Sequence, residues 1–413
     1  MSIIDAVIAI PIVFVIIFLL INRPYYCIPF YYFGIFVRRI MLPSLQVRYQ
    51  VGIQIALIGL CLLIVKISEM TGKNTVKRIN INSINRGFHI IYVVCAVELL
   101  NGILHGYKFF QIMVDVYKPV EILIYYRLFT CSLRDSWTMD KCLSLLTTEM
   151  ICFAVIELFI TKRGGIGLNM AMSLFPIFFA RGLYAKEKNY WIVGIISAIT
   201  GLLSQTRTYM VGYVAGLSMI MLLSRGRNKG DVVVKGTFIL LISAMIMGIY
   251  YSTTHNEYLS SLFARIGALS QGFESTGQYR YSEIQKAFQK FKEAPIFGQG
   301  YGYLEYVYIE LMGWFEWGDF MHNSYVEILA KSGLFGALLY GIGILRYYKF
   351  QYRQIKHNSD NEFVQGTLVG GIGGTISWMI VYFAAPLSSY GYVFIPGFFA
   401  LIYAGLNERD KMK

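Results

Sequence analysis

The chain has 413 residues, of which 56% are hydrophobic and only 15% are charged, and its mean hydropathy is +0.52. A soluble domain is about 45–50% apolar and about 25% charged, so this composition excludes an ordinary soluble domain and indicates an integral membrane protein. The formal net charge is +13, yet lysine and arginine collect in short segments between apolar runs, as in cytoplasmic loops. We therefore expect no nucleic-acid partner.

Apolar runs long enough to span a membrane predict an all-α integral membrane protein with about 12 transmembrane helices. Residues 25–46 are also aromatic and apolar but contain Arg38 and Arg39, so this segment is re-entrant, interfacial or a thirteenth span. The first run is expected to be a retained span rather than a removable signal. The runs cover approximately residues 3–22, 50–67, 87–104, 112–130, 142–161, 166–182, 190–205, 207–223, 233–251, 323–345, 363–385 and 389–406.

The charge balance of the connecting segments predicts the orientation. Basic residues exceed acidic ones in segments 66–86, 224–232 and 346–362, which assigns these segments to the cytoplasm. The chain then divides into N-terminal transmembrane helices (about nine, residues 1–251), a large periplasmic loop (252–321) and about three C-terminal transmembrane helices (322–413).

The outer loop has an acidic excess and is too long for a simple connection. Residues 281–294 place Ile284, Ala287, Phe288 and Phe291 on one face of an amphipathic helix, which Pro295 ends. We therefore expect an ordered, partly helical periplasmic cap.

Cysteine and histidine spacing gives no sign of a zinc site or a disulfide framework. We expect no metal and interpret the thiols as small buried side chains. The six cysteines are Cys27, Cys61, Cys95, Cys131, Cys142 and Cys152.

Two arginines stand where an anion could be held. Arg207 interrupts two apolar runs, and an arginine at this depth needs a partner or an aqueous cavity. It is either a phosphate clamp or a snorkelling or ion-paired structural residue. Arg280 stands just before the predicted loop helix, whose N-terminus favours anions, and the alternative is a solvated loop residue.

His322 stands where the polar loop gives way to an apolar run, and it is either a structural boundary residue or a proton acceptor. The run GQGYG at residues 298–302 has no following βαβ pattern, so we interpret it as a tight turn rather than a dinucleotide-binding motif. Glycines that would admit other helices closely follow the histidine: Gly333, Gly336, Gly341 and Gly343.

Aromatic and acidic residues of the outer loop leave alternatives open. The tyrosines near the glycine run, with Trp314 and Trp317, either stack on sugar rings or anchor the loop at the membrane. Glu305, Glu310, Glu316 and Asp319 offer carboxylates for glycoside chemistry, but no spacing singles out a pair.

Three of these features, in this order, resemble motifs of the O-antigen ligase/polymerase superfamily. His322-Asn323, followed after nine residues by GLFG (333–336), is similar to its histidine motif, and SQTRT (204–208) is similar to its arginine motif. Arg280, a helix and PIFGQGYG (295–302) resemble its loop pattern. The resemblance covers about residues 200–343.

The resemblance implies a GT-C-like membrane fold and a metal-independent inverting glycosyltransferase without a cofactor, in the bacterial inner membrane with its active site facing the periplasm. The donor would be an undecaprenyl-pyrophosphate-linked oligosaccharide, and the implied partners are membrane lipid, a chain-length regulator and a flippase. A polymerase of O-antigen or capsule transfers the glycan onto another lipid-linked repeat unit, whereas a ligase transfers it onto lipid A-core. Val211 stands where the ligase branch tends to carry leucine, which favours the polymerase.

By the same resemblance, the catalytic residues are His322, Arg280 and Arg207. His322 would accept the proton of the attacking hydroxyl or orient the substrate, and the arginines would bind the substrate and stabilise its pyrophosphate. A transporter or flippase is the alternative from another class, but it predicts paired halves, which the sequence does not display. The remaining expected substrate contacts are Asn323, Tyr301 and Tyr279.

Overall fold

A computed structural model describes residues 15–41, 47–72, 82–160, 166–186, 188, 190–203, 207–224, 228–254, 275–309, 314–318, 321–383 and 391–411. Residues 15–22 are helical, and a 3₁₀ turn (Pro24–Tyr26) leads into the first numbered helix. The helices are α1 (Cys27–Met41), α2 (Val47–Met70), α3 (Asn82–Leu104), α4 (Phe109–Ser132), α5 (Ser136–Ile160), α6 (Ile166–Tyr184), α7 (Tyr190–Leu203), α8 (Arg207–Leu223), α9 (Asn228–Thr254), α10 (Ser275–Glu293), α11 (Ser324–His357), α12 (Glu362–Val381) and α13 (Gly391–Lys411). An antiparallel hairpin of β1 (Glu305–Ile309) and β2 (Trp314–Gly318) lies between α10 and α11.

The helical and apolar character confirms an integral membrane protein built from helices. By length and composition, three helices in the described part of the chain could cross a membrane, and shorter apolar helices accompany them. The number of about 12 spans stays a prediction. The three candidate spans are Gly52–Met70, Ser324–His357 and Glu362–Val381.

The ambiguous segment 25–46 contains a short buried helix. At 15 residues, α1 is about 22 Å long, which is less than the hydrocarbon core of about 30 Å. Ile28, Tyr31 and Ile35 are buried, and the Tyr31 hydroxyl accepts a hydrogen bond from the Tyr125 hydroxyl at 2.9 Å. These contacts favour a helix packed inside the assembly over a thirteenth simple span.

α12 is the helix around which α6, α8 and α13 pack. It is apolar on all sides and mostly buried, as expected of a helix surrounded by others. A Cβ on Gly370 would lie 2.4 Å from the carbonyl oxygen of Pro176 in α6, so glycine permits this close backbone contact. The carbonyl that follows α12, on Tyr382, accepts a hydrogen bond from Ser324 at the start of α11.

Contacts between helix ends show which ends lie together, while the side of the membrane stays a prediction. Each contact joins ends that the prediction assigns to the same side. On the predicted cytoplasmic side, Glu69 pairs with Arg134 and Asn358 with Asn407, and on the predicted outer side the Gly167 amide donates to Glu157.

The loop helix is longer than the sequence pattern indicates. It begins at Ser275 rather than 281, and it ends at Glu293, just before Pro295. Ala287 is buried, as expected, but Phe288 is exposed. The β-hairpin was not predicted.

α11 is broken at Gly333, whose φ of 57° and ψ of −163° are not helical. A break leaves backbone groups of the adjacent turns without helical partners. Residues 295–302, here called the 295–302 turn, supply those partners. Gln299 and Gly300 donate to the carbonyls of Ala330 and Lys331 (2.9 and 2.8 Å), while Leu334 and Phe335 donate to the carbonyls of Pro295 and Ile296 (2.9 Å each).

The glycines of the turn serve this backbone contact. Gly298, Gly300 and Gly302 have φ values of 66°, 85° and 93°, which confirms the predicted tight turn. The expectation that the α11 glycines admit other helices is wrong in part. A loop backbone, rather than a helix, approaches Gly333, and a Cβ on Gly341 or Gly343 would meet nothing within 4 Å.

Candidate functional site

His322 and Glu283 form the pair at the centre of the site. Nδ1 of His322 lies 3.1 and 3.0 Å from the two carboxylate oxygens of Glu283. The Glu283 side chain is buried, while the His322 side chain is 18% exposed. A carboxylate accepts hydrogen bonds, so the contact fits a ring that donates from Nδ1, and in the neutral tautomer of that kind Nε2 carries the lone pair. The arrangement orients an imidazole suited to accepting a proton.

The backbone around His322 is fixed by neighbouring elements. The Met321 amide donates to Oε2 of Glu327 (3.2 Å), and the Ser324 amide donates to the carbonyl of Tyr382 (3.1 Å). Asn323 caps α11, since its Oδ1 accepts from the amides of Tyr325 and Val326 at 3.1 Å each. The histidine is therefore held by α11, by the end of α12 and by a buried carboxylate.

Four buried charges lie near the start of α11. We call Asp115, Lys118, Glu327 and Lys331 the ion quartet. Nζ of Lys118 lies 2.7 Å from Glu327 and 3.2 Å from Asp115, and Nζ of Lys331 lies 3.1 and 2.8 Å from the same two carboxylates. Ionisable groups inside a membrane protein require such partners.

The quartet joins α4 and α11 to the outer loop. The second oxygen of Asp115 accepts from the Gly302 amide (2.9 Å), and that of Glu327 accepts from Met321. The quartet therefore supports both the 295–302 turn and the backbone next to His322. Across the described residues, no group of three or more His, Cys, Asp or Glu side chains is arranged to hold a metal ion.

Arg280 lies one turn before Glu283 on the same helix and is half-buried. The expectation that it stands before the helix N-terminus is wrong, because α10 begins at Ser275 and Arg280 lies in its second turn. The free N–H groups and the dipole act within the first turn, so they do not add to an anion site at Arg280. Arg280 remains a candidate for binding an anion because of its charge and because it lies near Glu283. Ala287 of α10 packs against Met321 and Ala330, which brings this helix to α11.

Arg207 is the first residue of α8, and its side chain lies outside the described part of the structure. Contacts place this helix start at the same end of the molecule as His322. The Tyr209 ring meets Trp378 edge-on (6.3 Å between centroids), Trp378 stacks on Tyr382 (5.6 Å), and Tyr382 accepts from Ser324. The structure thus brings the backbone of Arg207 to the end that carries Arg280 and His322.

The three residues expected to contact the substrate have different environments in the structure. Tyr301 is 5% exposed, its hydroxyl bonds to that of Tyr340 (2.9 Å), and it packs in a cluster with Cys95 and Ile112. A ring buried in this way has no open face for a sugar, so we reassign Tyr301 to packing. Asn323 uses its oxygen as a helix cap, so any substrate contact of this side chain would have to involve its amide nitrogen. The side chain of Tyr279 lies outside the described residues.

Glu305 is a buried carboxyl group near the histidine–glutamate pair. Burial raises the pKa of Glu305 to about 7, the positive charge of Lys331 opposes the rise, and the negative charges of Glu327 and Glu283 add to it. The other acidic side chains named as partners for glycoside chemistry lie outside the described residues, namely Glu310, Glu316 and Asp319.

Sequence reasoning missed Glu283 and the ion quartet. The signal for Glu283 was its i+3 spacing from Arg280, which places both on one face of any helix through this segment. The signal for the quartet was the presence of Asp115, Lys118 and Lys331 within otherwise apolar runs, where buried partners are required.

Together the fold and the site define a helical membrane protein with an oriented histidine, an arginine and buried carboxylates at one end. Residues 192–341 match the family model described as O-antigen ligase. This match confirms the resemblance to the O-antigen ligase/polymerase superfamily, and it contains Arg207, Arg280, Glu283 and His322. It supports a membrane glycosyltransferase-like enzyme of the ligase/polymerase type. No curated protein matches the chain.

Proposed function

We propose that this protein is a polysaccharide polymerase for O-antigen or capsule repeat units, acting at the outer face of the bacterial inner membrane. The donor is an oligosaccharide on undecaprenyl pyrophosphate, and the acceptor is a sugar hydroxyl of another lipid-linked repeat unit. The observation that carries the proposal is the His322–Glu283 pair. Glycosyl transfer to a hydroxyl requires a proton acceptor, and an imidazole oriented through Nδ1 suits that task.

In the proposed step, the acceptor hydroxyl attacks C1 of the donor sugar and Nε2 of His322 takes its proton. The new C1–O bond forms as the bond from C1 to the pyrophosphate oxygen breaks. Pyrophosphate leaves with the electron pair, and attack from the opposite face inverts the configuration at C1. Glu283 stabilises the imidazolium that forms, as a carboxylate next to a catalytic histidine does in other enzymes.

Arg280 and Arg207 bind the pyrophosphate, whose negative charge grows as the bond breaks. A positioned charge or donor of this kind contributes about 2.7–4 kcal/mol to transition-state stabilisation. Arg280 lies one helical turn from Glu283, so it would hold the leaving group in the same site as the proton acceptor, on the opposite face of C1.

The test uses the purified protein in proteoliposomes with its lipid-linked repeat unit and measures the glycan chain length. We expect His322→Ala, Arg280→Ala and Arg207→Ala each to lower the transfer rate by about 100-fold or more. His105→Ala and Lys292→Ala are matched controls, because both residues are exposed at the same end of the molecule. Wild-type chain lengths from all three site variants would overturn the proposal.

An O-antigen ligase is the second candidate, because the matching family carries that description. It would use the same donor and proton acceptor but transfer the glycan to lipid A-core. Val211, the departure that favours a polymerase, is exposed on α8. The products of a deletion strain distinguish the two: loss of a ligase leaves lipid A-core bare, whereas loss of a polymerase leaves a single repeat on it.

A further inference from the structure

The 295–302 turn lies beside the break at Gly333, within a helix that is long and apolar enough to cross a membrane. Arg346 is the first basic residue after the break, thirteen residues further on (333 to 346), which is about 20 Å of helix. With Arg346 at the cytoplasmic boundary, Gly333 lies in the outer half of a hydrocarbon core of about 30 Å, and the exposed ion pair of Lys290 and Glu293 just before the turn sets the turn near its outer edge. The turn is therefore at the depth of the outer leaflet.

Two apolar side chains of the turn point away from the protein. Ile296 is 61% exposed and Phe297 is 47% exposed, and Leu334 on α11 is exposed to a similar extent at 48%. The Phe297 ring packs against the Phe335 ring, with 5.4 Å between centroids, so the surface of the turn is continuous with that of α11. Further along α11 the same apolar surface continues through exposed Leu338, Ile342 and Leu345.

Many of the backbone polar groups of the turn are hydrogen-bonded inside the protein. Irregular backbone occurs at membrane depth only where the protein supplies such bonds. The amides of Gln299, Gly300, Tyr301 and Gly302 donate to the carbonyls of Ala330, Lys331 and Glu98 and to the Asp115 carboxylate. The carbonyls of Pro295, Ile296, Phe297 and Gly298 accept from the amides of Leu334 and Phe335 and from Nδ2 of Asn101.

We propose that the 295–302 turn is a re-entrant segment of the outer loop, and that Ile296 and Phe297 contact the acyl chains of the outer leaflet. The occupant of this surface is lipid because the surface continues the exposed face of α11, which meets the same acyl chains. The end of α3 adds to it: Asn101 bonds to the turn, and the neighbouring Leu100, Ile103 and Leu104 are exposed.

The experiment measures the depth of a fluorescent probe in proteoliposomes. Cys152 is the exposed cysteine and the other five are buried, so Cys152→Ser provides a background for labelling. Ile296→Cys and, separately, Phe297→Cys are labelled with an environment-sensitive fluorophore. Quenching by a nitroxide on the lipid acyl chain is compared with quenching by iodide in the water.

Two labelled positions set the scale. Leu334→Cys lies on the candidate span at the same level, and Gln285→Cys lies on the exposed face of α10. We expect the ratio of lipid to iodide quenching at Ile296 and Phe297 to match that of Leu334 and to exceed that of Gln285 several-fold. A ratio at both positions equal to that of Gln285 would overturn the proposal. The measurement needs no glycan substrate, so its outcome is independent of the proposed activity.

Discussion

The chemistry of His322 depends on the charge of Glu283. A solvated imidazole exchanges between tautomers, whereas a buried carboxylate at Nδ1 selects one of them. Glutamine at position 283 would keep the size of the side chain and an acceptor oxygen, but it would remove the charge that strengthens the hydrogen bond.

We expect Glu283→Gln to lower the transfer rate about 10- to 100-fold, with little change in KM, because a hydrogen bond to a charged group contributes about 1.5–3 kcal/mol. Initial rates in proteoliposomes measure the effect. Glu293→Gln is the matched control, since Glu293 is an exposed partner of Lys290 on the same helix. Wild-type kinetics for Glu283→Gln would exclude a role for this carboxylate in orienting His322.

The stability of the fold depends on the ion quartet. Lys118→Met would leave Asp115 and Glu327 against a single lysine, and breaking a buried ion pair in this way costs about 3–5 kcal/mol. Lys235→Met is the control, because Lys235 pairs with a largely exposed Asp231 and should contribute at most about 1 kcal/mol. Thermal unfolding in detergent compares the two variants. Equal melting temperatures would contradict a special contribution from the quartet.

At the scale of elements, α11 and the 295–302 turn form one unit. Gly333→Ala would place a Cβ 2.3 Å from the Ile296 carbonyl oxygen, at a φ that side chains rarely adopt. We expect it to destabilise the protein by about 2 kcal/mol or more, and to detach the turn from the helix. Gly341→Ala is the control on the same helix, where the new Cβ meets nothing and the gain in helix propensity is up to about 1 kcal/mol. If the melting temperature rises in both Gly333→Ala and Gly341→Ala, the backbone at Gly333 does not require glycine.

The start of β1 predicts a pH dependence of stability. Because burial raises the pKa of Glu305 from 4.5 to about 7, the folded protein binds more protons than the unfolded chain between these values. Its stability therefore falls as the pH rises through this window. Glu305→Gln removes this titration, so the loss of melting temperature between about pH 5 and pH 8 should shrink. Glu293→Gln should lose as much melting temperature over this pH range as the wild type. If Glu305→Gln also loses as much as the wild type, Glu305 does not titrate in this range.

At the scale of the whole molecule, the sequence predicted what depends on local pattern. Apolar runs of about 20 residues indicate helices wherever they occur, and basic segments indicate sidedness. Pro295 and the glycines after it marked the end of α10 and the tight turn, because their backbone preferences are local. His322 was identified as a candidate because it is a titratable residue at the boundary between a polar and an apolar segment.

What the sequence could not provide is pairing across the fold. Lys118 and Glu327 are separated by 209 positions and belong to helices that periodicity does not connect. The burial of Tyr301 likewise depends on Cys95 and Ile112 from distant helices. The sequence did not predict the break in α11, because GLFG lies within an apolar run that is typical of a continuous helix. The break is stabilised by hydrogen bonds to the 295–302 turn, which comes from another part of the chain.

The break at Gly333 has a consequence for the height of the reaction above the lipid. From Glu293, beside the turn, α10 returns over ten residues (293 to 283), or about 15 Å, to Glu283. With the turn at the outer edge of the hydrocarbon, as proposed, α10 sets the Glu283–His322 pair at most about 15 Å from the acyl chains. Because the turn itself would contact the bilayer, the pair would keep this distance when the membrane thickens or thins.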